Sequence, residues 1–197
     1  MDNMAIWEKV QKTDPKHTKR VNQRGGFTAI DAHYQVETAT RTFGPVGIGW
    51  GYDCEYKTVS PLIMCELTLW HETRENRYGP ICGAALIDSN GRIDADAPKK
   101  AMTDALTKAL SHLGFNADVF LGKFDDNKYL QQVKKEFAEK EAPKLSEDQE
   151  LSLAKAVADA GFSQEDFCKK FRLSSLSSLS PERYEKAIDY LNSQRAA

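Results

Sequence analysis

The sequence predicts an α+β fold: an antiparallel three-stranded meander packed on a long helix (a β-β-β-α core), with a small all-α module at the C-terminus. Three observations carry this prediction. From Trp50 the pattern has a period of two, with Trp50, Tyr52, Cys54 and Tyr56 alternating with Gly51, Asp53, Glu55 and Lys57 as in a half-buried strand. Two further strand-like segments, about residues 62–71 and 81–87, follow across the turn at Ser60-Pro61 and a charged turn at 72–78, and strands joined so briefly pair antiparallel. After a loop at 88–97, Pro98 opens a helix whose Met102, Leu106, Ala109, Leu110 and Leu113 form an apolar stripe running to Gly114.

The flanking elements follow in chain order. Up to about Arg24 the chain is polar and basic apart from Ile6, Trp7 and Val10, and it reads as a short helix followed by an extended basic arm. Gly25-Gly26 breaks the chain. Thr28, with Asp31 three positions on, makes an acidic variant of the capping box before Ala32, Val36, Ala39 and Phe43 at helical spacing, and Gly44-Pro45 ends that helix. Beyond the long helix, another spans roughly 127–140 and runs out into a charged, proline-containing linker. Ser146 with Gln149, Ser163 with Asp166, and Ser180-Pro181 mark three helix starts, and Gly161 marks a helix end. The candidate core of this three-helix unit is Leu151, Ala154, Val157, Phe162, Phe167, Phe171, Leu176, Tyr184, Ile188 and Leu191. The expected organisation is therefore a domain at 1–140, a linker at 141–145 and a module at 146–197.

Composition narrows the function classes. A chain of 197 residues, 41% hydrophobic and 28% charged, buries one sizeable core and a small appended module. Its apolar runs are too short to cross a bilayer, and Met1-Asp2-Asn3 lacks a secretory pattern, so a cytoplasmic protein is expected. Cys54, Cys65, Cys82 and Cys168 are irregularly spaced with no CxxC pair, which argues against a disulfide framework or zinc ribbon; three of them fall in strand-like segments and read as core thiols. A formal net charge of -2 argues against indiscriminate binding of nucleic acid by the whole surface, so a site for it needs local segregation of charge. That segregation exists: Lys12, Lys16, Lys19, Arg20 and Arg24 stand against the single acid Asp14.

The residues that carry chemistry are few. The glycines of Gly47-Ile48-Gly49-Trp50-Gly51 lie between a helix and a strand, the reverse of a dinucleotide fingerprint, and no P-loop is present, so the chain shows no means of using ATP. His17, His33, His71 and His112 sit in different elements with no metal-pair spacing. Asp94 with Asp96, and Asp125 with Asp126, either hold a nuclease magnesium or cap turns and helices. The basic arm either follows a phosphate backbone, with Phe27 offering a face to a base, or is a solvated tail. Lys99, Lys100 and Lys108 lie on the helix from Pro98, the last two about two turns apart and opposite the apolar stripe, and admit the same two readings.

Two segments together resemble the single-strand annealing family typified by the eukaryotic recombination protein Rad fifty-two, in its bacteriophage branch. One is Ala32-His33-Tyr34-Gln35-Val36 through Phe43-Gly44 to Gly49-Trp50; the other is Lys99-Lys100-Ala101-Met102-Thr103-Asp104-Ala105-Leu106 through Lys108-Ala109-Leu110 to Leu113-Gly114. The likeness covers about residues 5–135, and Leu121-Gly122-Lys123-Phe124-Asp125-Asp126-Asn127-Lys128-Tyr129 is similar to the stretch after the signature helix in phage members. The resemblance implies ATP-independent binding and annealing of single-stranded DNA by a homo-oligomeric ring, without catalysis, metal or cofactor. It implies a DNA groove lined by Lys108. The neighbouring family bases correspond to Thr107 and Ser111, and the family's aromatic before the first helix corresponds to Ala29, with Phe27 as the nearest replacement. The expected DNA-binding set is Lys16, Lys19, Arg20, Arg24, Phe27, Lys99, Lys100 and Lys108. The tail resembles small phage recombination modules, which implies docking of a phage nuclease or host single-strand binding protein through residues 146–197, in the cytoplasm of a bacterial host. The alternative from another class is a magnesium-dependent nuclease acting on DNA through Asp94, Asp96, Asp125 or Asp126.

Overall fold

The computed structural model describes residues 2–22, 26–89, 91–141 and 143–195 of the chain. It is α+β and divides into two compact units, Met1–Lys134 and Lys135–Ala197. The division falls inside a helix, ahead of the boundary expected at 140.

In the first unit, helix α1 (Ala5–Val10) leads through a 3-10 turn at Pro15–His17 into an antiparallel hairpin, β1 (Thr18–Val21) and β2 (Phe27–Ile30). Within the basic segment Thr18–Val21 is thus a paired strand and not a free arm. Thr18 and Val21 on one side, and Phe27, Thr28 and Ile30 on the other, supply the β-branched and aromatic residues that a pleated ribbon favours, a signal that the charge of the segment masks. Thr28 consequently caps nothing. Asp31 alone caps α2 (Ala32–Phe43), its Oδ1 accepting the His33 N–H at 2.9 Å.

Then come β3 (Trp50–Val59), β4 (Leu62–His71) and β5 (Thr73–Leu86), one antiparallel sheet in the order β3-β4-β5. The third strand begins earlier than expected. Only Glu72, at φ 62°, turns the chain, and the charges of Arg74, Glu75 and Arg77 mark exposed strand positions where a longer turn was expected. The glycines before the sheet serve packing: a Cβ on Gly51 would lie 2.7 Å from the Trp70 indole, and one on Gly49 would lie 1.8 Å from the Phe43 carbonyl oxygen. The expected loop at 88–97 contains a small hairpin, β6 (Asp88–Ser89) and β7 (Arg92–Ile93).

Helix α3 (Ala97–His112) covers β4 and β5, and Cys65, Leu67 and Leu69 are fully buried in the shared core. Leu106, Ala109 and Leu110 are buried as the apolar stripe predicts, whereas Met102 and Leu113 are only partly buried. The contact with the sheet runs instead along Ala97, Ala101, Ala105 and Ala109, all fully buried. Gly83 of β5 explains this, because a Cβ there would lie 2.1 Å from the Ala101 carbonyl oxygen and 2.3 Å from the Ala105 nitrogen. Helix and strand backbones touch, and only the smallest side chains fit between them. Of the strand cysteines only Cys65 is a core thiol; Cys54 and Cys82 are exposed, since most of β3 beyond Tyr52 lies open and Cys82, opposite Glu66, alternates away from the buried face. Helix α4 (Ala117–Phe120), a 3-10 turn at Lys123–Asp125 and helix α5 (Asn127–Glu141) follow.

The second unit contains α6 (Glu147–Asp159), α7 (Gln164–Phe171), a 3-10 turn at Leu176–Ser178 and α8 (Pro181–Arg195). Its caps are those expected: the Ser146 Oγ accepts the Gln149 N–H at 3.2 Å while the Gln149 side chain accepts the Ser146 N–H at 3.1 Å, and the Ser163 Oγ accepts the Asp166 N–H at 3.0 Å. The core is built on Leu153, Val157, Phe167, Leu176, Leu179, Ala187 and Leu191. Leu151 is 73% exposed, contrary to expectation, because the buried stripe of α6 runs through Leu153 and Val157 and puts Leu151 on the far side of the helix. Among the described residues no helix is long and apolar enough to cross a membrane.

Candidate nucleic-acid interface

A buried polar knot holds the basic hairpin in place. Asp118 of α4 is 2% exposed, and its carboxylate accepts the Thr13 N–H at 2.9 Å, the Thr13 hydroxyl at 2.6 Å and the Tyr129 hydroxyl at 2.9 Å. Asn116 donates from Nδ2 to the Thr13 Oγ1 at 2.9 Å, and the N–H groups of Asn116 and Asp118 reach the Val10 and Gln11 carbonyls respectively, each at 3.1 Å. A carboxylate taken out of water needs such a complement of donors, and this one ties the residues leading into β1 to α4 and to the first turn of α5. Thr13 and Asp118 are 105 positions apart, so no local spacing in the sequence announces them.

The knot sets β1 beside the 3-10 turn at Lys123–Asp125, where Arg20 Nη1 stands 2.5 Å from Asp125 Oδ1 with both side chains more than half exposed. Two cavities flank the hairpin. One, of about 480 Å³, is lined by Lys16, His17, Lys19 and Ile30; the other, of about 470 Å³, by Lys19, Arg20, Thr28, Phe124 and Lys134. His17 stacks on Tyr34 at 4.2 Å between ring centroids, and burial raises the Tyr34 hydroxyl above its usual pKa. Lys16 is exposed in the 3-10 turn, where its N–H donates to Asp14 Oδ1 at 2.9 Å, and Phe27 opens β2 at 47% exposure. Arg24 lies outside the described residues.

The three lysines of α3 line neither cavity. Lys99 is exposed and meets no carboxylate among the described residues. Lys100 Nζ lies 2.5 Å from Asp94 Oδ2, a hydrogen bond that holds the Asp94 carboxyl below its usual range and raises the Lys100 ammonium. Lys108 is exposed and paired. Its Nζ lies 2.6 Å from Asp104 Oδ2 and donates to the Cys82 carbonyl at 3.3 Å, while Asp104 accepts the Ala84 N–H at 3.2 Å. One helical i, i+4 pair thereby bonds backbone groups on the free edge of β5.

Three of the four acids proposed for a magnesium site are bonded elsewhere, Asp94 to Lys100, Asp125 to Arg20, and Asp126 to the Lys128 N–H at 2.8 Å, while Asp96 precedes α3 without a side-chain cap bond. Among the described residues no three His, Cys, Asp or Glu side chains group as metal ligands. Lys134, Phe124, Thr28 and Asp118 were not legible as site residues; Lys134 has only its spacing from Asn127 and Leu130 to mark it, and that means nothing until the hairpin opposite is known. No protein-family model matches the chain, and no curated protein matches it.

Proposed function

We propose that the chain binds single-stranded DNA and promotes pairing of complementary strands without ATP, as an oligomer of identical subunits. The observation that carries this reading is the hairpin, which holds Lys19 and Arg20 on one short ribbon directly after Lys16 in the 3-10 turn, with a cavity on each flank, in a chain whose formal net charge is -2. Annealing needs phosphates neutralised while base edges stay free to search for their complements, a task for fixed cations and requiring no covalent step. Few cations per subunit suffice when copies arranged in a ring add weak contacts along one strand. The second unit, with its own core, serves as a docking module for a phage nuclease or a host single-strand binding protein in the bacterial cytoplasm.

The test is direct. Two complementary labelled oligonucleotides pair faster in the presence of the protein alone, and a Lys19→Ala, Arg20→Ala variant binds more weakly, with a salt slope reduced by about 0.7 for each phosphate that is no longer neutralised. Cleavage of a labelled strand when magnesium is added would replace annealing with the nuclease reading.

A further inference from the structure

We infer that the cavity between the β1–β2 hairpin and the first two turns of α5 is a phosphodiester subsite on the path of the strand, with Lys134 as a binding residue and Asp125 as a built-in competitor of the phosphate. This rests on the proposed function and assigns it two residues that the sequence did not single out for DNA binding. Lys19, Arg20 and Lys134 all line a space of about 470 Å³ in which Asp125 is the one lining carboxylate. The volume falls within the range of ordinary ligand sites.

The two walls are built independently. On the hairpin, Lys19 and Arg20 are successive residues of β1, with Thr28 opposite Arg20 on β2 offering a hydroxyl. On α5, Asn127, Leu130 and Lys134 recur at i, i+3 and i+7 and so share one helix face. Lys19 and Lys134 are exposed, and neither meets a carboxylate among the described residues. Phe124, almost fully buried, closes the floor between the walls.

Arg20 is the gated member. Its partner Asp125 is 61% exposed and Arg20 itself 52%, and an ion pair so open to water is held weakly. A phosphodiester presents the same pair of acceptor oxygens to the guanidinium fork that the carboxylate does, and Lys19 and Lys134 line the same cavity. The incoming phosphate therefore displaces Asp125, and binding carries the cost of breaking that pair.

The experiment is a salt titration of oligo-deoxythymidine binding by the full chain, two single variants and two double variants, with inorganic phosphate as a competing probe. Lys134→Ala weakens binding about five-fold, as expected for the removal of one ionic interaction, and lowers the salt slope by about 0.7. Asp125→Asn tightens binding, and the gain disappears when Arg20→Ala is added. Both positions are exposed, and thermal melting verifies that the variants fold. Wild-type slopes in Lys134→Ala, or weaker binding by Asp125→Asn, overturn the subsite while leaving the annealing reading intact if the Lys19→Ala, Arg20→Ala variant still binds poorly. Absence of oligonucleotide binding by the unmodified chain overturns both. Equal competition by inorganic phosphate and by oligonucleotide phosphate, at matched phosphate concentration, would show a free-anion site and overturn the assignment to the strand.

Discussion

His71 shows how a single side chain couples the sheet to pH. It sits at the end of β4, 8% exposed, its ring stacked on Phe43 at 4.7 Å between centroids. Burial lowers its pKa below 6.5, with Glu72 pulling weakly the other way. The Asn76 amide, 3.2 Å from Nδ1, finds an acceptor there only while that nitrogen is unprotonated. With its folded pKa depressed, the unfolded chain takes up the proton first as pH falls. Stability is therefore full above about pH 6.5 and declines as pH drops through the lowered value, by at most about 1.4 kcal/mol per pH unit for one proton. Denaturant unfolding at pH 7.5 and 5.5 measures the decline, and His71→Gln is expected to lose less of its stability over that interval. Cys65 is the other buried titrating group of the sheet, its thiol pushed up to about 11, first by burial and then by Cys54 beside it.

At the level of elements, the contact that organises the first unit is the approach of α3 to β5 at Gly83. Replacing Gly83 with Ala inserts a methyl where 2.1 Å separates it from a backbone oxygen, so helix and strand have to part. The expected loss is about 3 kcal/mol in denaturant unfolding, at the upper end for overpacked cores, and Ala105→Gly is not expected to restore it because the obstacle is backbone. This approach also marks the limit of what the sequence disclosed. The strands β3 and β4, α3, the capped helices of the second unit and the three-stranded order were legible, because period-two alternation, proline at a helix start and serine caps are local signals. The packing stripe of α3 was not, because the larger apolar residues outweigh alanines in any hydropathy pattern, and only the glycine across the interface makes small residues the better fit. The hairpin was hidden for a related reason: its lysine and arginine read as an extended basic arm, although Val21 and Ile30 on the same ribbon carry strand preference.

At the level of the whole molecule, two cores imply two unfolding events. Leu69 is fully buried in the first unit and Leu153 in the second. Truncating either to Ala costs about 3 kcal/mol, and calorimetry is expected to show Leu69→Ala lowering one transition and Leu153→Ala the other. A single transition shifted equally by both would mean that the units unfold together. Fold class and the capped tail were legible at this scale, and α5 runs through the division between the units without any break in helical pattern. The bonds that Asp104 and Lys108 make to Ala84 and Cys82 reach furthest, as does Pro80 two residues upstream, which has no N–H to give. They leave a neighbouring molecule no continuous ladder of amides to zip onto along that stretch of β5. A foreign strand docking there has first to break both bonds, which disfavours growth of the sheet along that stretch.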